Sequence, residues 1–371
     1  MAEARDVPSE RAKPDRRREL SRRPREQKRQ RVALGFIIFF LLVIAGFAVA
    51  FYARVFVLPG RQLVVKVDDV KYTRGDMANL LQARQRQFEL IGFDFKAGEE
   101  VFKALQIIVE NEIISQSAPK FGVTVSDEEV DTEIKLMFLL APGADQEQLI
   151  SSQAEREYQE RYRAYLNTLQ LSESEFRETI RKQTLREKFR HFIGENVPTV
   201  VEQVHLHRLV TAPTDEIDIM QVKFKDAVGV NRDPEHLQEA FKQIAREFSQ
   251  DDREIVRKGG DLGWTPRGIY TKYDYNFFDL EVGKLSEPTP NIDNIEEIFF
   301  YMISERSEAH EIAPDDRETL KNNALQDWLN DERSNHDVFA EFTSDIYHWL
   351  IEELQLTRIA TPTPVPNPLR L

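Results

Sequence analysis

The segment 258–264, with the sequence KGGDLGW, constrains the fold of this 371-residue chain more than any other. Its adjacent glycines, Gly259 and Gly260, allow backbone conformations closed to other residues, so the chain can turn tightly there. The aspartate that follows can hydrogen-bond to its own backbone, and we expect Leu262 to face the interior. The polar stretch FSQDD (248–252) leads into this turn. The sequence therefore predicts a helix end, a polar loop and a glycine turn in close succession.

An uninterrupted apolar run lies near the start of the chain, from Val32 to Ala53. Its 22 uncharged residues, at roughly 1.5 Å per residue in a helix, match a bilayer hydrocarbon core of about 30 Å. A buried core helix would carry polar residues on one face, and this run carries none. We therefore predict an N-terminal transmembrane helix over 32–56.

The flank of this run predicts its orientation. Residues 1–31 hold twelve Lys and Arg against six acidic residues, a net charge of +6. The positive-inside rule then leaves this tail in the cytoplasm and sends the rest of the chain across the membrane. Topology and lipid headgroups explain the basic run better than nucleic acid does. A removable signal peptide is the alternative, because 48–50 (AVA) fits a cleavage site, although the run is longer than a usual signal core. The prediction is a single-pass protein of the cytoplasmic membrane with extracytoplasmic C-terminal domains.

The remainder of the chain is acidic and contains no cysteine. Its net charge is −20 within a total of −14, which disfavours nucleic acid and suits a soluble extracytoplasmic body. The lack of cysteine excludes disulfides, thiolate metal sites and cysteine nucleophiles. HExxH, P-loop and GxSxG motifs are also absent. His205 and His207 are a weak pair for a metal ion, so we predict no metal site and no cofactor.

Helical and hairpin patterns fill the region before the glycine turn. Apolar residues recur at three- and four-residue steps over 99–120. Ser126 and Ser172 each precede a Glu by three residues, the pattern of a capping box at a helix start. Further predictions are a strand hairpin over 63–72, a charged, Gln-rich helix over 145–170, a long helical stretch over 315–354 and a disordered Pro/Thr-rich tail.

These motifs, taken in order, resemble a known family. The loop and GGDLGW turn, with Gly283 and the Ser-Glu-Pro turn at 286–288 downstream, resemble the core signature of parvulin-type peptidyl-prolyl isomerases. The preceding segments VDDVKY (67–72), GVTVSDEEV (122–130) and LSESEFR (171–177) resemble the chaperone domain of the SurA and PrsA foldases. The resemblance covers most of residues 60–350.

The resemblance implies an α+β chain. It combines a mainly helical SurA-like chaperone domain with a parvulin α/β domain, whose antiparallel sheet is flanked by helices. The predicted division is a cytoplasmic basic tail (1–31), a transmembrane anchor (32–56), a chaperone domain (60–200), a parvulin-like domain (201–311), a C-terminal helix that packs on the chaperone domain (312–357) and a disordered tail (358–371).

Prolyl isomerisation rotates a bond whose barrier is about 18–20 kcal/mol and needs neither a nucleophile nor a metal. A catalyst holds the proline in an apolar pocket and favours the twisted amide. The resemblance implies that Leu262 and Tyr270 lie in this pocket, and we add Tyr275 and Phe278 as substrate-binding residues. Asp251 and Asp252 fall where the family carries a Cys or Asp; a catalytic role and a solvated turn both remain open for them.

The histidines of the family are the main departure. Its first strand reads V-x-A-x-H-I-L-V, and the gap-free alignment with 204–211 (VHLHRLVT) puts Arg208 at the histidine position. A one-residue shift makes His207 the catalytic candidate but turns the apolar residues of the strand to the wrong face. The stretch 295–303, which corresponds to the strand of the second histidine, contains none. The segment 219–224 is a possible competing first strand.

We therefore predict a membrane-anchored foldase that assists the folding of secreted proteins, with a weak or degenerate isomerase domain. Its expected partners are unfolded or nascent secreted polypeptides and their X-Pro segments, not nucleic acid. The alternative is a non-catalytic holdase that uses the parvulin fold only to bind unfolded chains. A structural platform for one specific partner is a third possibility.

Overall fold

The computed structural model describes residues 34–35, 37–139, 152–214 and 216–359. The predicted basic tail, part of the predicted anchor, the start of the predicted helix over 145–170 and residues 360–371 lie outside this description. Residues 37–52 are helical. Within the described ranges, no helix is both long and apolar enough to cross a membrane.

The chain forms a mainly helical part, a part built on a four-stranded sheet, and a C-terminal return. The first part contains β1 (Leu63–Val67), β2 (Val70–Thr73), α1 (Arg74–Ile91), α2 (Ala97–Ser117), α3 (Asp127–Leu139), α4 (Ser152–Leu169) and α5 (Glu173–Gly194). The second contains β3 (Val200–Thr211), α6 (Glu216–Val228), α7 (Pro234–Phe248), α8 (Arg253–Arg257), β4 (Asp261–Pro266), α9 (Asp274–Phe277), β5 (Thr289–Pro290) and β6 (Ile298–Glu311). The return contains α10 (Pro314–Glu332), β7 (Val338–Ala340) and α11 (Ser344–Ile359).

The two predicted capping boxes are confirmed. At the start of α3, Glu129 N donates to Ser126 Oγ at 3.2 Å, and Ser126 N donates to Glu129 Oε2 at 2.8 Å. Ser172 and Glu175 make the same reciprocal pair at the start of α5. Each box satisfies two backbone N–H groups that the first helical turn leaves without partners.

A first core, centred on β1, α1, α2 and α5, is completed by the C-terminal return. β7 pairs antiparallel with β1, and Leu329 of α10 and Leu350 of α11 are buried in this core. A separate aromatic cluster joins α3, α4 and the start of α5. The C-terminal return therefore belongs physically to the helical part of the molecule.

The prediction of one long helical stretch over 315–354 is wrong in its middle. The helix ends at Glu332, and Val338 pairs with Val67 on the open edge of β1. Branched and aromatic residues in this segment favour a strand, and pairing satisfies backbone groups that β1 would otherwise expose. His336, between α10 and β7, helps to hold this segment beside β1, because its Nδ1 lies 2.6 Å from Asp68 Oδ2 in the turn after β1.

A buried polar group links three elements of the first core. Tyr72 Oη on β2 donates to Glu112 Oε2 on α2 at 2.9 Å, and Lys182 Nζ on α5 lies 3.1 Å from the same oxygen. Glu112 is only 6% exposed. Burial opposes the ionised form of Glu112 and would raise its pKa. Hydrogen bonds from Gln116, Tyr72 and Lys182, together with the charge of Lys182, outweigh burial. The pKa of Glu112 therefore lies below its ordinary value.

Replacing Glu112 with glutamine is therefore expected to lower the free energy of unfolding at pH 7 by about 1–3 kcal/mol, because it leaves Lys182 without its anionic partner. A depressed carboxyl pKa contributes stability above the unfolded value of about 4.3 and loses it as pH falls through the folded value. The variant should therefore lose part of this acid dependence of stability.

Urea unfolding at pH 7 and pH 4 measures both effects. It is followed by the fluorescence of Trp328 and Trp349, which pack in the first core. Glu178→Gln on the exposed face of α5 is the control, and equal responses of the two variants would contradict the expectation.

The second sheet has the strand order β4-β3-β6-β5, and all neighbouring strands are antiparallel. α6 and α7 cover one face, where Phe241 packs with Leu209 and Phe300. On the other face, Val210 and Tyr301 pack with Phe277 from the segment after β4. We call these the helix face and the open face.

The segment 219–224, a possible competing strand in the sequence, lies in α6. Met220, Phe224 and Val228 recur every four residues and are buried against the sheet, whereas Ile219 and Val222 are exposed. This is the period of a helix with one buried face, so β3 is the first strand of the second sheet.

Candidate active site

The glycine turn fits between β3 and α7 because it has no side chains. Gly259 and Gly260 have φ of +79° and +78°, the left-handed region that glycine tolerates. A Cβ on Gly260 would lie 2.5 Å from the Arg208 carbonyl oxygen and 2.7 Å from Phe241 Cε1. The Gly260 carbonyl instead accepts a hydrogen bond from Arg208 N at 2.8 Å. The turn thereby fixes the position of β4 beside β3.

The polar loop before α8 is held along β3. Gln250 N donates to the Val210 carbonyl at 2.6 Å. Ser249 Oγ accepts from Val210 N at 3.2 Å and from Asp251 N at 3.3 Å. These bonds place Asp251 against the neighbouring residue of β3 on the open face, which is Arg208.

Arg208 and Asp251 form a two-point ion pair. Arg208 Nε lies 2.8 Å from Oδ2 of the carboxylate, and Nη2 lies 2.9 Å from Oδ1. The side chains are only 19% and 7% exposed. Burial opposes the charge of the guanidinium, but the hydrogen bonds and charge of Asp251 outweigh it and raise the pKa of Arg208. Nη1 has no hydrogen-bond partner among the described residues, and the guanidinium carbon lies 5.3 Å from the centre of the Phe299 ring.

An apolar wall surrounds this pair on the open face. Tyr301 stands directly opposite Arg208 in the pairing of β6 with β3. Burial is the main cause that raises the pKa of both Tyr270 and Tyr301, so both phenols stay neutral at pH 7. The buried part of the wall is Phe277, Phe278, Phe299 and Tyr301, and its partly exposed rim is Leu262, Tyr270 and Tyr273.

The structure brings several of the sequence-predicted site residues together. Leu262 and Tyr270 lie at the rim, and Asp251 lies beside Arg208. Phe278 belongs to the wall but is only 1% exposed, with the guanidinium of Arg267 4.2 Å from its ring centre.

Two predicted residues lie away from this group. Tyr275, on α9, is 69% exposed. Asp252 is exposed and caps α8, because its Oδ1 accepts a hydrogen bond from Glu254 N at 2.8 Å.

His207 lies on the helix face of the sheet, away from Arg208 and Asp251. Its ring centre is 5.4 Å from that of Phe241, and its Nε2 is 3.0 Å from Ser304 Oγ. It is 1% exposed, and burial lowers its pKa to about 4. The strand alternates as the gap-free alignment requires, with His207 on the helix face and Arg208 on the open face, opposite Tyr301.

Tyr301 and Phe299 are site residues that sequence reasoning missed. Their signal is the uninterrupted apolar run at 298–303, which is typical of a strand covered on both faces, so that every second side chain faces the open face. The corresponding register against β3 could not be read from the sequence, because β3 and β6 lie some ninety residues apart.

Three side chains of metal-ligand type meet on the helix face, although the sequence predicted no metal site. His205 Nε2 lies 2.8 Å from Asp261 Oδ1, and the ring of His207 stacks beside that of His205 with centres 5.1 Å apart. One ligand atom from each residue lies within 4.8 Å of the other two.

Two family models match the chain. The model described as a SurA-like N-terminal domain matches residues 25–190, and the PPIC-type PPIASE domain model matches residues 212–297. The second match includes neither β3 nor β6. No curated protein gives a significant match.

Solved structures with distant similarity include three foldases or chaperones. The peptidylprolyl isomerase PrsA from Bacillus anthracis is 17% identical over 70% of this chain and 98% of its own, with a TM-score of 0.34. Foldase protein PrsA from Streptococcus pneumoniae is 15% identical over 81% and 94%, with a TM-score of 0.32. A SurA-like chaperone from Campylobacter jejuni is 15% identical over 65% and 96%, with a TM-score of 0.25.

The two domain models cover the motifs described above. The helical part with its capping boxes falls within the first match, and the polar loop with its glycine turn falls within the second. The chain combines a SurA-like N-terminal domain with a PPIC-type peptidyl-prolyl isomerase, or parvulin, domain.

Proposed function

We propose that this chain is a membrane-anchored, extracytoplasmic foldase whose parvulin domain binds X-Pro segments of unfolded secreted proteins and isomerises them weakly. The observation that carries the proposal is the apolar wall on the open face with one buried ion pair, Arg208–Asp251, beside it. Such a pocket suits a proline ring, which is apolar and lacks an N–H donor.

The rim would hold the ring. Leu262, Tyr270 and Tyr273 offer partly exposed apolar surface, and Tyr273 is fixed because its hydroxyl accepts a hydrogen bond from Ile292 N at 3.1 Å. A rigid rim positions the proline while the preceding carbonyl rotates. Burial of the bond also favours the twisted amide, because the planar form has the larger charge separation and loses more on leaving water.

Arg208 would supply the polar part of the site. When the amide twists, its nitrogen regains a lone pair and becomes a hydrogen-bond acceptor. The guanidinium is always protonated and can donate to that nitrogen or to the carbonyl oxygen, while Asp251 fixes its orientation. No proton has to be transferred in this reaction, so a group that never loses its proton can serve it.

The replacement of both family histidines is the reason to expect weak activity. Arg208 stands at the position of the first histidine in the gap-free alignment, the stretch 295–303 contains no second one, and Tyr301 lies opposite Arg208 on β6. This observation favours the second candidate, a holdase that binds unfolded chains through the same wall without catalysis. The two candidates share the pocket and differ only in turnover.

The sequence supports the proposed location. The 22 uncharged residues over 32–53 and the net +6 of residues 1–31 favour an uncleaved anchor with a cytoplasmic N-terminus. The SurA-like domain and the parvulin domain would then face the outside and meet secreted chains as they emerge. Protease protection of the C-terminal domains in spheroplasts and inverted vesicles tests this orientation.

Catalysis is tested with matched tyrosines. Tyr270→Ala is expected to lower the rate constant for catalysed isomerisation at least about tenfold, a loss of roughly 1.4 kcal/mol, because it removes one of the two aromatic side chains of the rim. Tyr275→Ala removes the same side chain at an exposed position and should change the rate less than about twofold. The measurement is proline-limited refolding of a test protein with sub-stoichiometric full-length chain in detergent.

Substrate preference refines this test. A pocket of about 420 Å³ borders Asp251, and its lining includes Arg246, Arg253 and Arg257. We expect peptides with an acidic residue next to the proline to react faster than those with a basic residue. Absence of any acceleration by folded protein would overturn the isomerase reading; suppression of aggregation at stoichiometric amounts would then identify the holdase.

A further inference from the structure

We propose that His205, His207 and Asp261 form a binding site for a divalent transition-metal ion of the zinc type on the helix face of the parvulin domain. The site lies on the opposite face of the sheet from Arg208 and Asp251, so it is distinct from the proposed proline pocket and does not depend on that function.

Strand geometry brings the three side chains together. His205 and His207 are two residues apart on β3, so both project from the helix face. Asp261, the first residue of β4, stands opposite His207 in the strand pairing. Its ligand atom and one nitrogen of each histidine lie within 4.8 Å of one another. With metal–ligand bonds of about 2.0–2.1 Å, ligand atoms of a tetrahedral site are about 3.3 Å apart, so small side-chain shifts close the site.

His207 supplies the second, independent observation. The residue is 1% exposed, and its Nδ1 has no hydrogen-bond partner among the described residues. Leaving a buried nitrogen unsatisfied is costly, and native structures rarely do so without a reason. The other nitrogen, Nε2, lies 3.0 Å from Ser304 Oγ, which is fully buried. A ring held through one nitrogen by a hydrogen-bond partner, with the other nitrogen left free of hydrogen bonds, is the usual arrangement of a histidine prepared to bind a metal.

The donor set selects the ion. Two imidazole nitrogens and one carboxylate oxygen suit Zn²⁺, Ni²⁺ or Cu²⁺, whereas Mg²⁺ and Ca²⁺ prefer all-oxygen sites. The site opens to solvent on one side, because the side chains of His205 and Asp261 are 15% and 39% exposed. Ions can enter there, and a water molecule can complete the coordination.

The bound ion would act as a clamp between β3 and β4. These strands carry the guanidinium of Arg208 and the rim residue Leu262, and Asp261 Oδ1 already accepts a hydrogen bond from Gly263 N at 2.8 Å. A metal bridge across the strand pair would stabilise the glycine turn and hold the pocket in its present form. Because it binds only the folded state, Zn²⁺ should raise the Tm of the parvulin domain.

The fluorescence of Trp264 can report metal binding at this site. The ring of Trp264 lies 5.5 Å from that of His205, whereas Trp328 and Trp349 pack in the first core. Titration of the full-length chain with Ni²⁺ or Cu²⁺, which quench indole fluorescence at short range, should quench Trp264. Excess Zn²⁺ should reverse the quenching by Ni²⁺, and excess Mg²⁺ should not; Cu²⁺ binds such ligands more tightly than Zn²⁺ and should not be displaced. Equilibrium dialysis should give one Zn²⁺ per chain.

Four variants make the test specific. His205→Gln and Asp261→Asn should each weaken Zn²⁺ binding at least about tenfold. Ser304→Ala acts only through the orientation of His207 and should weaken Zn²⁺ binding about tenfold. Asp261→Asn keeps the acceptor for Gly263 N and so preserves the turn. His236→Gln, on α7 of the same domain, should bind as the native chain does, because its Nε2 is engaged with the Val228 carbonyl. Circular dichroism confirms folding.

The contrary results are equally definite. Stoichiometric binding that survives both His205→Gln and Asp261→Asn would place the ion on other surface histidines and overturn the proposal. Absence of Zn²⁺ binding and of Trp264 quenching in the folded native chain would show that the three residues form only a hydrogen-bonded group.

Discussion

Replacing Gly260 with alanine is expected to destabilise the parvulin domain by about 2–5 kcal/mol, whereas the same change at Gly263 should cost only about 1–2 kcal/mol. Both glycines have nearly the same φ, +78° and +79°, so both variants force alanine into the left-handed region at about 1–2 kcal/mol. Gly260 has the additional overlap of a Cβ 2.5 Å from the Arg208 carbonyl oxygen, which is backbone and cannot turn aside. Overpacking of this kind costs about 1–3 kcal/mol more. A Cβ on Gly263 meets nothing within 4 Å among the described residues.

Hydrogen exchange measures this difference in the full chain without assuming a single unfolding transition for both domains. In Gly260→Ala, backbone amides of β3 should exchange far faster, while those of α2 in the first core should keep their native rates. Gly263→Ala should leave β3 nearly as protected as in the native protein. Equal loss of protection in the two variants would mean that φ alone, and not the close approach to β3, explains the glycine.

The features that the sequence predicts well are those determined by neighbours along the chain. The capping boxes at Ser126 and Ser172 each need four consecutive residues, and the glycine turn needs two. The position of Asp251 is also determined by neighbours along the chain, because the loop that carries it follows directly after α7. The alternation of β3 likewise favoured Arg208 over His207 as the residue on the open face.

The features that the sequence does not predict depend on contacts between distant segments. The branched and aromatic residues at Val338 and Phe339 favour a strand, but they do not identify Val67 as its partner, since the open edge of β1 lies in another part of the chain. The meeting of His205 and His207 with Asp261 depends on the bulged pairing of β3 with β4. Tyr301 opposite Arg208 depends on a register that only the folded sheet defines.

Replacing Asp251 with alanine is expected to lower the stability of the parvulin domain by about 3–5 kcal/mol, because it leaves a buried guanidinium without its counter-charge. Arg208 is 19% exposed, and an arginine guanidinium keeps its proton in proteins, so it cannot escape the loss of its partner by becoming neutral. The double variant Arg208→Met, Asp251→Ala removes both charges and should recover most of the loss, since a well-packed apolar pair can replace a buried ion pair at little cost. Hydrogen exchange of the β3 amides in the single and double variants gives the coupling free energy between Arg208 and Asp251.

The same variants separate structure from catalysis. If Arg208 donates to the twisted amide, the double variant should be folded and still bind unfolded chains, yet accelerate proline-limited refolding at least about tenfold less than the native chain. If the ion pair only closes the polar loop against β3, the double variant should keep both its fold and its rate, and the apolar wall alone would account for turnover. A double variant as unstable as Asp251→Ala would instead show that the loop needs the carboxylate itself, through the hydrogen bond it accepts from Asp252 N at 2.7 Å.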